Sequence, residues 1–329
     1  MAMDTFLQQL VNGLTAGSVY AVVALGYTMV YGIIQLINFA HGEVVMIGAM
    51  VAFSLITALA PAGLPPLAVL LIGTGCAIPV CALVGYSMER FAYRPLRGAP
   101  RLAPLITAIG ISIILQHLAM LVWSRNVLAF PQILETTTYM LGGTAITNVQ
   151  IAIIAVCFAM MAGLALLVYR TPLGTAMRAT AQNPQVAGLM GIDTNRVIAA
   201  TFVIGAALGA VAGVLFGTYY GVAQYTMGSV LGLKAFSAAV LGGIGNIPGA
   251  MLGGLLLGLV EALGAGYIGD FTDLCQYGVF AGTLEACKDG GNFVLAGSNY
   301  QDVFAFLVLI LVLVFRPSGL LGERVGDRA

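Results

Sequence analysis

Lys234 and Glu261 each lie inside a long apolar stretch of the sequence. Ionisable groups in such surroundings are costly, and they mark either a function or a pairing. If the two stretches form an antiparallel hairpin turning near Asn246, a rise of about 1.5 Å per residue leaves the two side chains only ~4–5 Å apart in depth. They can then pair. Otherwise Lys234 extends its stem outward and Glu261 reaches the interface by itself. A second polar group, INFAHGE, sets Asn38, His41 and Glu43 at the cytoplasmic start of another apolar segment. These are candidates for lining or gating a pathway, or Asn38 and Glu43 serve only the free N–H donors of a helix start. One histidine beside one carboxylate is too sparse for a metal site. His117, in the middle of an apolar stretch, reads as a hydrogen-bonded packing residue. No nucleophile, base and acid assemble into a catalytic set, so the chain reads as a non-enzyme that needs no cofactor.

The elements that must position these groups follow from composition. Of 329 residues, 60% are hydrophobic and 8% charged, with a mean hydropathy of +1.00, against ~25% charge in an average soluble domain. Apolar runs of the length an α-helix needs to cross a bilayer recur at about 10–34, 39–59, 67–88, 102–123, 149–169, 197–220, 226–244, 248–265 and 303–315. The ~10-residue alternation of a transmembrane β-barrel is missing. The first run lacks a basic leader and a small-residue cleavage site, so it reads as a retained span. The expected fold is an all-α polytopic membrane bundle of eight to ten helices forming one domain over 1–329. Lys and Arg together equal Asp and Glu at 13 each, which leaves no global field for nucleic acid. The lysines, Lys234 and Lys288, are not preceded by a P-loop.

The few charges map the topology. Arg90, Arg94, Arg97 and Arg101 cluster in ERFAYRPLRGAPR, Arg170, Arg178 and Arg196 bracket a second loop, and Arg316, Arg324 and Arg328 follow the last apolar run. Short basic loops stay cytoplasmic. The stretch near Glu135 and the acidic loop over 268–300, whose acids Asp270, Asp273, Glu285 and Asp289 are counted together with Asp302, then lie outside, about nine crossings with an external N-terminus. Cys275 and Cys287 fall in that outer loop, where an oxidising compartment favours a disulfide; the alternative is two free thiols. Cys76, Cys81 and Cys157 fall within spans as small apolar fillers.

Among the 43 glycines, Gly205, Gly209, Gly213, Gly217 and Gly221 recur at every fourth residue, and Gly249/Gly253 and Gly254/Gly258 repeat the interval. Such rows let helices approach closely in lipid. They serve tight packing alone or also a sliding surface. The loop 170–197 contains RTPLGTAMRATAQNPQVAGLMGIDTNR. Pro172 starts one short helix, Asn183 caps a second that begins at Pro184 and ends by Gly191, and Asp193 or Thr194 caps the next span. Val186, Leu189 and Met190 give this loop an apolar side, which rests on lipid or on a protein partner.

At this loop the sequence resembles the LivH-type permease subunits of branched-chain amino acid ABC importers. The matching stretches are NGLTAGSVYAVVALGYTMVYGIIQLINFAHGEVVMIG, ERFAYRPLRG, RATAQNPQVAGLMGIDTNRVIAATFVIGAALGAVAGVL, LKAFSAAVLGGIGNIPGAMLGGLLLG and FRPSGLLG. The resemblance implies a subunit of the bacterial inner membrane. Its partners are a second, homologous permease, two cytoplasmic ATP-binding subunits and a periplasmic amino-acid-binding protein. It also implies that the cytoplasmic loop couples to the ATPase through Thr180, Asn183, Pro184, Ala187, Gly188 and Gly191. Permeases for urea, short amides or other amino acids share this superfamily. A self-sufficient secondary transporter, with GGIGNIPG as a helix break, is the reading from a different class. Between Ile268 and Tyr300 the chain departs from the family pattern.

Overall fold

A computed structural model describes residues 2–100, 102–141, 143–272 and 300–322. The chain is helical almost throughout: α1 Ala2–Ile34, α2 His41–Leu59, α3 Pro66–Ser87, α4 Leu102–Val122, α5 Asn148–Arg170, α6 Pro172–Gln182, α7 Pro184–Leu189, α8 Thr194–Tyr220, α9 Met227–Gly242, α10 Ile247–Thr272 and α11 Gln301–Phe315. Each of the nine apolar runs is a helix. Seven of these helices are long and apolar enough to cross a membrane, while α9 and α11 are shorter, with 16 and 15 residues. At about 1.5 Å per residue these two described lengths fall short of a ~30 Å hydrocarbon core. The expected all-α polytopic bundle is borne out, with seven helices of full crossing length among the described residues. The outer loop expected from Ile268 is also still helical through Thr272, and Cys275 and Cys287 lie outside the described residues.

Helix ends follow local chemistry. Thr147 and Gln150 form a reciprocal capping box at the start of α5. Pro65 and Pro66 set the entry to α3. A π-turn over Met88–Tyr93 and a 3₁₀ turn over Arg94–Leu96 extend α3 into the arginine loop. Gly221, expected to extend the packing row, instead terminates α8 with φ +69°, the left-handed conformation that suits glycine.

The core is built around α1, whose residues Val19–Leu25 are almost wholly buried. It packs on α10, α8, α9 and α5, while α2 is held between α3, α8 and α9. By contrast α4 is exposed along Ile106, Ile113, Leu118 and Leu121. His117 is also exposed, bonded through Nδ1 to the Ile113 carbonyl of its own helix at 2.9 Å, so it does not pack in the core. The end of α1, the arginine loop, α6 and α7, the α9–α10 turn and the segment after α11 gather at one end of the bundle. Arg97 reaches Asn195, and Tyr31, Tyr169, Asn246 and Ser318 line a common cavity there of about 700 Å³. The opposite end carries a two-stranded hairpin, β2 Thr138–Leu141 with β3 Thr144–Thr147, tied to α1 by Gln8. A second short pair joins β1 Leu128–Ala129 to β4 Val222–Ala223. Neither pairing follows from the apolar runs of the sequence.

After α11 the chain turns at Arg316–Gly319 and lies along the α9–α10 turn. Leu320 and Leu321 donate their N–H groups to the carbonyls of Leu241 and Gly242, and Asn246 Nδ2 donates to the Leu321 carbonyl at 2.7 Å.

Candidate functional site

The two buried charges meet. Lys234 Nζ lies 2.8 Å from Glu261 Oε1 and 2.7 Å from Asp302 Oδ1. Tyr20, in the middle of α1, donates its hydroxyl to the same Glu261 oxygen at 3.2 Å, and the ammonium sits 5.7 Å from the centre of the Tyr20 ring. One cation thus gathers α1, α9, α10 and the first turn of α11. Side-chain exposure is 11% for Lys234 and 7% for Glu261 but 42% for Asp302, so the Glu261 arm is the desolvated one. Asp302 was missed because it had been counted with the outer acidic loop. Its signal is its position one residue before the apolar run at Val303, on a helix too short to carry it to the outer face.

INFAHGE does not lie at the cytoplasmic face. His41 packs against Gly26 of α1 and beside Gly205 and Gly209, near the middle of α8, and its ring stands edge-on to Tyr27 with centroids 4.9 Å apart. A Cβ at Gly26 would overlap the imidazole, so this glycine is what admits the histidine. The linker after α1 therefore climbs back into the bundle before α2 begins. Asn38 supports it by accepting from Ala40 N at 3.1 Å and from the Tyr93 hydroxyl at 2.8 Å. Neither side chain caps the free N–H groups of α2: Asn38 holds the residue before the helix, and Glu43 Oε1 accepts from Ser112 Oγ of α4 at 3.2 Å while its Oε2 faces Gly228 of α9. The Tyr93→Phe variant should lose about 1 kcal/mol of stability, the usual net worth of one buried hydrogen bond, read as a lower midpoint of thermal unfolding in detergent.

At the basic end, Glu89 is fully buried and accepts from Arg94 Nε at 3.2 Å and from Arg97, which also donates to Asn195 Oδ1 at 2.6 Å. Two of the clustered arginines are thus held within the fold, where they tie the extension of α3 to the start of α8. Next to it, α6 and α7 form between α5 and α8. Thr171 caps α6 by accepting from Gly174 N, and Asn183 Oδ1 accepts from Gln185 N at 3.0 Å and Val186 N at 3.1 Å. Gly191 turns the chain at φ +85°, and Asp193 caps α8 through Arg196 N. Thr180 and Ala187 are buried. Leu189 and Met190, at 86% and 79% exposure, project outward, and a Cβ on Gly188 would meet none of the described residues within 4 Å.

The glycine rows are packing surfaces. A Cβ on Gly213 would strike the Val45 carbonyl of α2, and one on Gly217 would meet the Phe130 ring. On α10, Gly249 and Gly253 face α9 while Gly254 and Gly258 face α1. One helix thus presents bare backbone to two neighbours.

Comparison with known proteins places this geometry in context. A family described as "Branched-chain amino acid transport system / permease component" matches residues 9–313. The high-affinity branched-chain amino acid transport system permease protein BraD of Pseudomonas aeruginosa is 50% identical over 323 residues, 97% of this chain and 96% of its own length. The protein LivH of Escherichia coli K12, with the same description, is 45% identical over 325 residues, 97% and 96% of the two chains. A probable branched-chain amino acid transport permease, LivH of Methanocaldococcus jannaschii, is 26% identical over 91% of this chain and 87% of its own. No solved structure matches.

Proposed function

The chain belongs to the family of branched-chain amino acid transport system permease components, and from that membership we propose that it is one permease subunit of an ATP-driven importer of branched-chain amino acids. It forms half of the translocation pathway in a bacterial inner membrane. A second, homologous permease supplies the other half, two cytoplasmic ATP-binding subunits drive the cycle, and a periplasmic binding protein delivers the amino acid. The observation that carries this reading is the α6–α7 pair. It is fixed at both ends to long helices, and its exposed tip bears Val186, Leu189 and Met190.

In this reading α7 docks on an ATP-binding subunit. Closure of the ATPase moves Asn183, Pro184, Ala187, Gly188 and Gly191 as one body, with Thr180 anchoring α6. That motion reaches α5 directly, because Gly174 packs on the Val168 carbonyl and Arg178 donates to it, and it reaches α8 through the Gly191 turn and the Asp193 cap. The glycine faces of α8 and α10 let helices shift against one another without side chains interlocking. Asn38, His41, Glu43, Lys234 and Glu261 are all buried within the bundle, and in this reading they are the groups that line or gate the pathway.

Reconstitution tests the reading. The complete set of subunits in proteoliposomes, supplied with binding protein and internal ATP, should accumulate leucine, and omission of the ATP-binding subunits should abolish uptake. Uptake by this chain alone, driven by an ion gradient, would overturn it in favour of a secondary transporter.

A further inference from the structure

Between α1, α4 and α9, at the height where α2 begins, lies a cleft of about 200 Å³. Ile109 and Ile113 of α4 and Leu233 of α9 give it an apolar side, and Ser112, Ser229 and Tyr27 give it polar groups. Its volume is below the ~300–1,000 Å³ of sites for drug-sized ligands, a scale that suits a single small metabolite. One hydrogen bond behind its wall is Glu43, only 1% exposed. Ser112 donates to Glu43 Oε1 at 3.2 Å, and Oε2 is buried with no hydrogen-bond partner among the described residues. An unpaired carboxylate in an apolar bundle is expensive to maintain, and no cationic side chain of the described residues is recorded pairing with it.

We propose that this cleft is a transit site for the amino acid within the permease, with the branched side chain against Ile109, Ile113 and Leu233 and the ammonium group on Ser112, in the field of Glu43. The inference rests on the importer reading given above and deepens it. The hydrogen-bond direction is what makes the chemistry work. Because the Ser112 hydroxyl donates its proton to Glu43, its oxygen lone pairs are left to accept from a cation, and the carboxylate behind strengthens them. The same field turns the carboxylate of the zwitterion away from Glu43 and favours an ammonium donor over a neutral amide. Glu43 acts through Ser112 and is a positioning residue. Ser112 and the apolar wall touch the substrate. The cleft lies between α4 and α9, and α4 is the least buried of the long helices, so a second permease seated on α4 would cover it.

The test uses the complete transporter in proteoliposomes with saturating loaded binding protein, comparing leucine and valine. Ser112→Ala and Glu43→Gln should each lower the leucine uptake rate by about tenfold or more, the effect of losing a charge-assisted contact, with the complex recovered in wild-type amount on gel filtration. Leu233→Phe, which narrows the apolar side, should lower leucine relative to valine by about threefold or more. Assembled Ser112→Ala complex that transports leucine within about twofold of wild type, together with an unchanged leucine-to-valine ratio in Leu233→Phe, would overturn the proposal. Should Glu43→Gln fail to assemble, the other two variants decide. A wild-type complex that imports no amino acid overturns the importer reading itself, an outcome distinct from a working transporter indifferent to these substitutions.

Discussion

Lys234→Met should destabilise the protein more than any other single change of a charged residue in the bundle. Removing the ammonium leaves Glu261 and Asp302 facing each other with no cation, where both had been within 2.8 Å of it. Breaking a buried ion pair from one side costs about 3–5 kcal/mol, a large share of the ~5–15 kcal/mol that holds a typical protein folded. Most of that cost comes from Glu261, since Asp302 is partly open to its surroundings and its pairing is screened. The measurement is the amount of protein in the membrane together with its thermal unfolding in detergent. A neutral double variant, Lys234→Met with Glu261→Gln, should recover much of the loss, because the desolvated charge is then gone. Exchanging the two charges is the weaker test, since a carboxylate at position 234 would lie beside Asp302. A Lys234→Met protein as stable as wild type would show that the cluster carries no energy.

Gly188→Trp should do the opposite, leaving the fold intact while stopping transport. Nothing among the described residues stands within 4 Å of a side chain started there, and the neighbouring Leu189 is 86% exposed, so the indole has room in the isolated subunit. In the complex it would occupy the proposed contact with the ATP-binding subunit. Central contacts of this kind are typically worth about 2 kcal/mol or more, so leucine uptake should fall by at least about tenfold. Protein level and unfolding temperature should not change. ATP hydrolysis should no longer respond to loaded binding protein. Uptake at the wild-type rate would remove α7 from the coupling surface. Asn183→Ala separates position from shape, because it loosens α7 by removing the cap on Gln185 N and Val186 N without adding bulk.

What could be read from the sequence was whatever depends on near neighbours in the chain. The nine helices follow from apolar run length, and the ends of α6, α7 and α8 from Pro172, Asn183, Pro184 and Asp193, because such signals act over two or three residues. The pairing of Lys234 with Glu261 was also legible, since a tight turn at Asn246 converts spacing into depth. Depth elsewhere was not. Placing INFAHGE at the membrane face assumed that a linker stays outside, whereas Gly26, Gly205 and Gly209 open a space for His41 that no local pattern announces. The same holds for Glu89, whose partners Arg94 and Arg97 read as a solvated basic cluster until the π-turn folds them back. Asp302 was hidden by a helix shorter than the membrane. Gly221 was counted by its interval of four, when its backbone angle sets its role.

The last residues before the tail place a constraint on how the molecule is made. A ribosome delivers the α9–α10 turn well before it delivers Leu320 and Leu321, yet the Leu241 and Gly242 carbonyls and the Asn246 side chain find their partners there. The turn therefore waits for the segment after α11 and is sealed when Leu320 and Leu321 arrive. Placement of that segment thereby becomes a late step of assembly at the end of the bundle that carries α7.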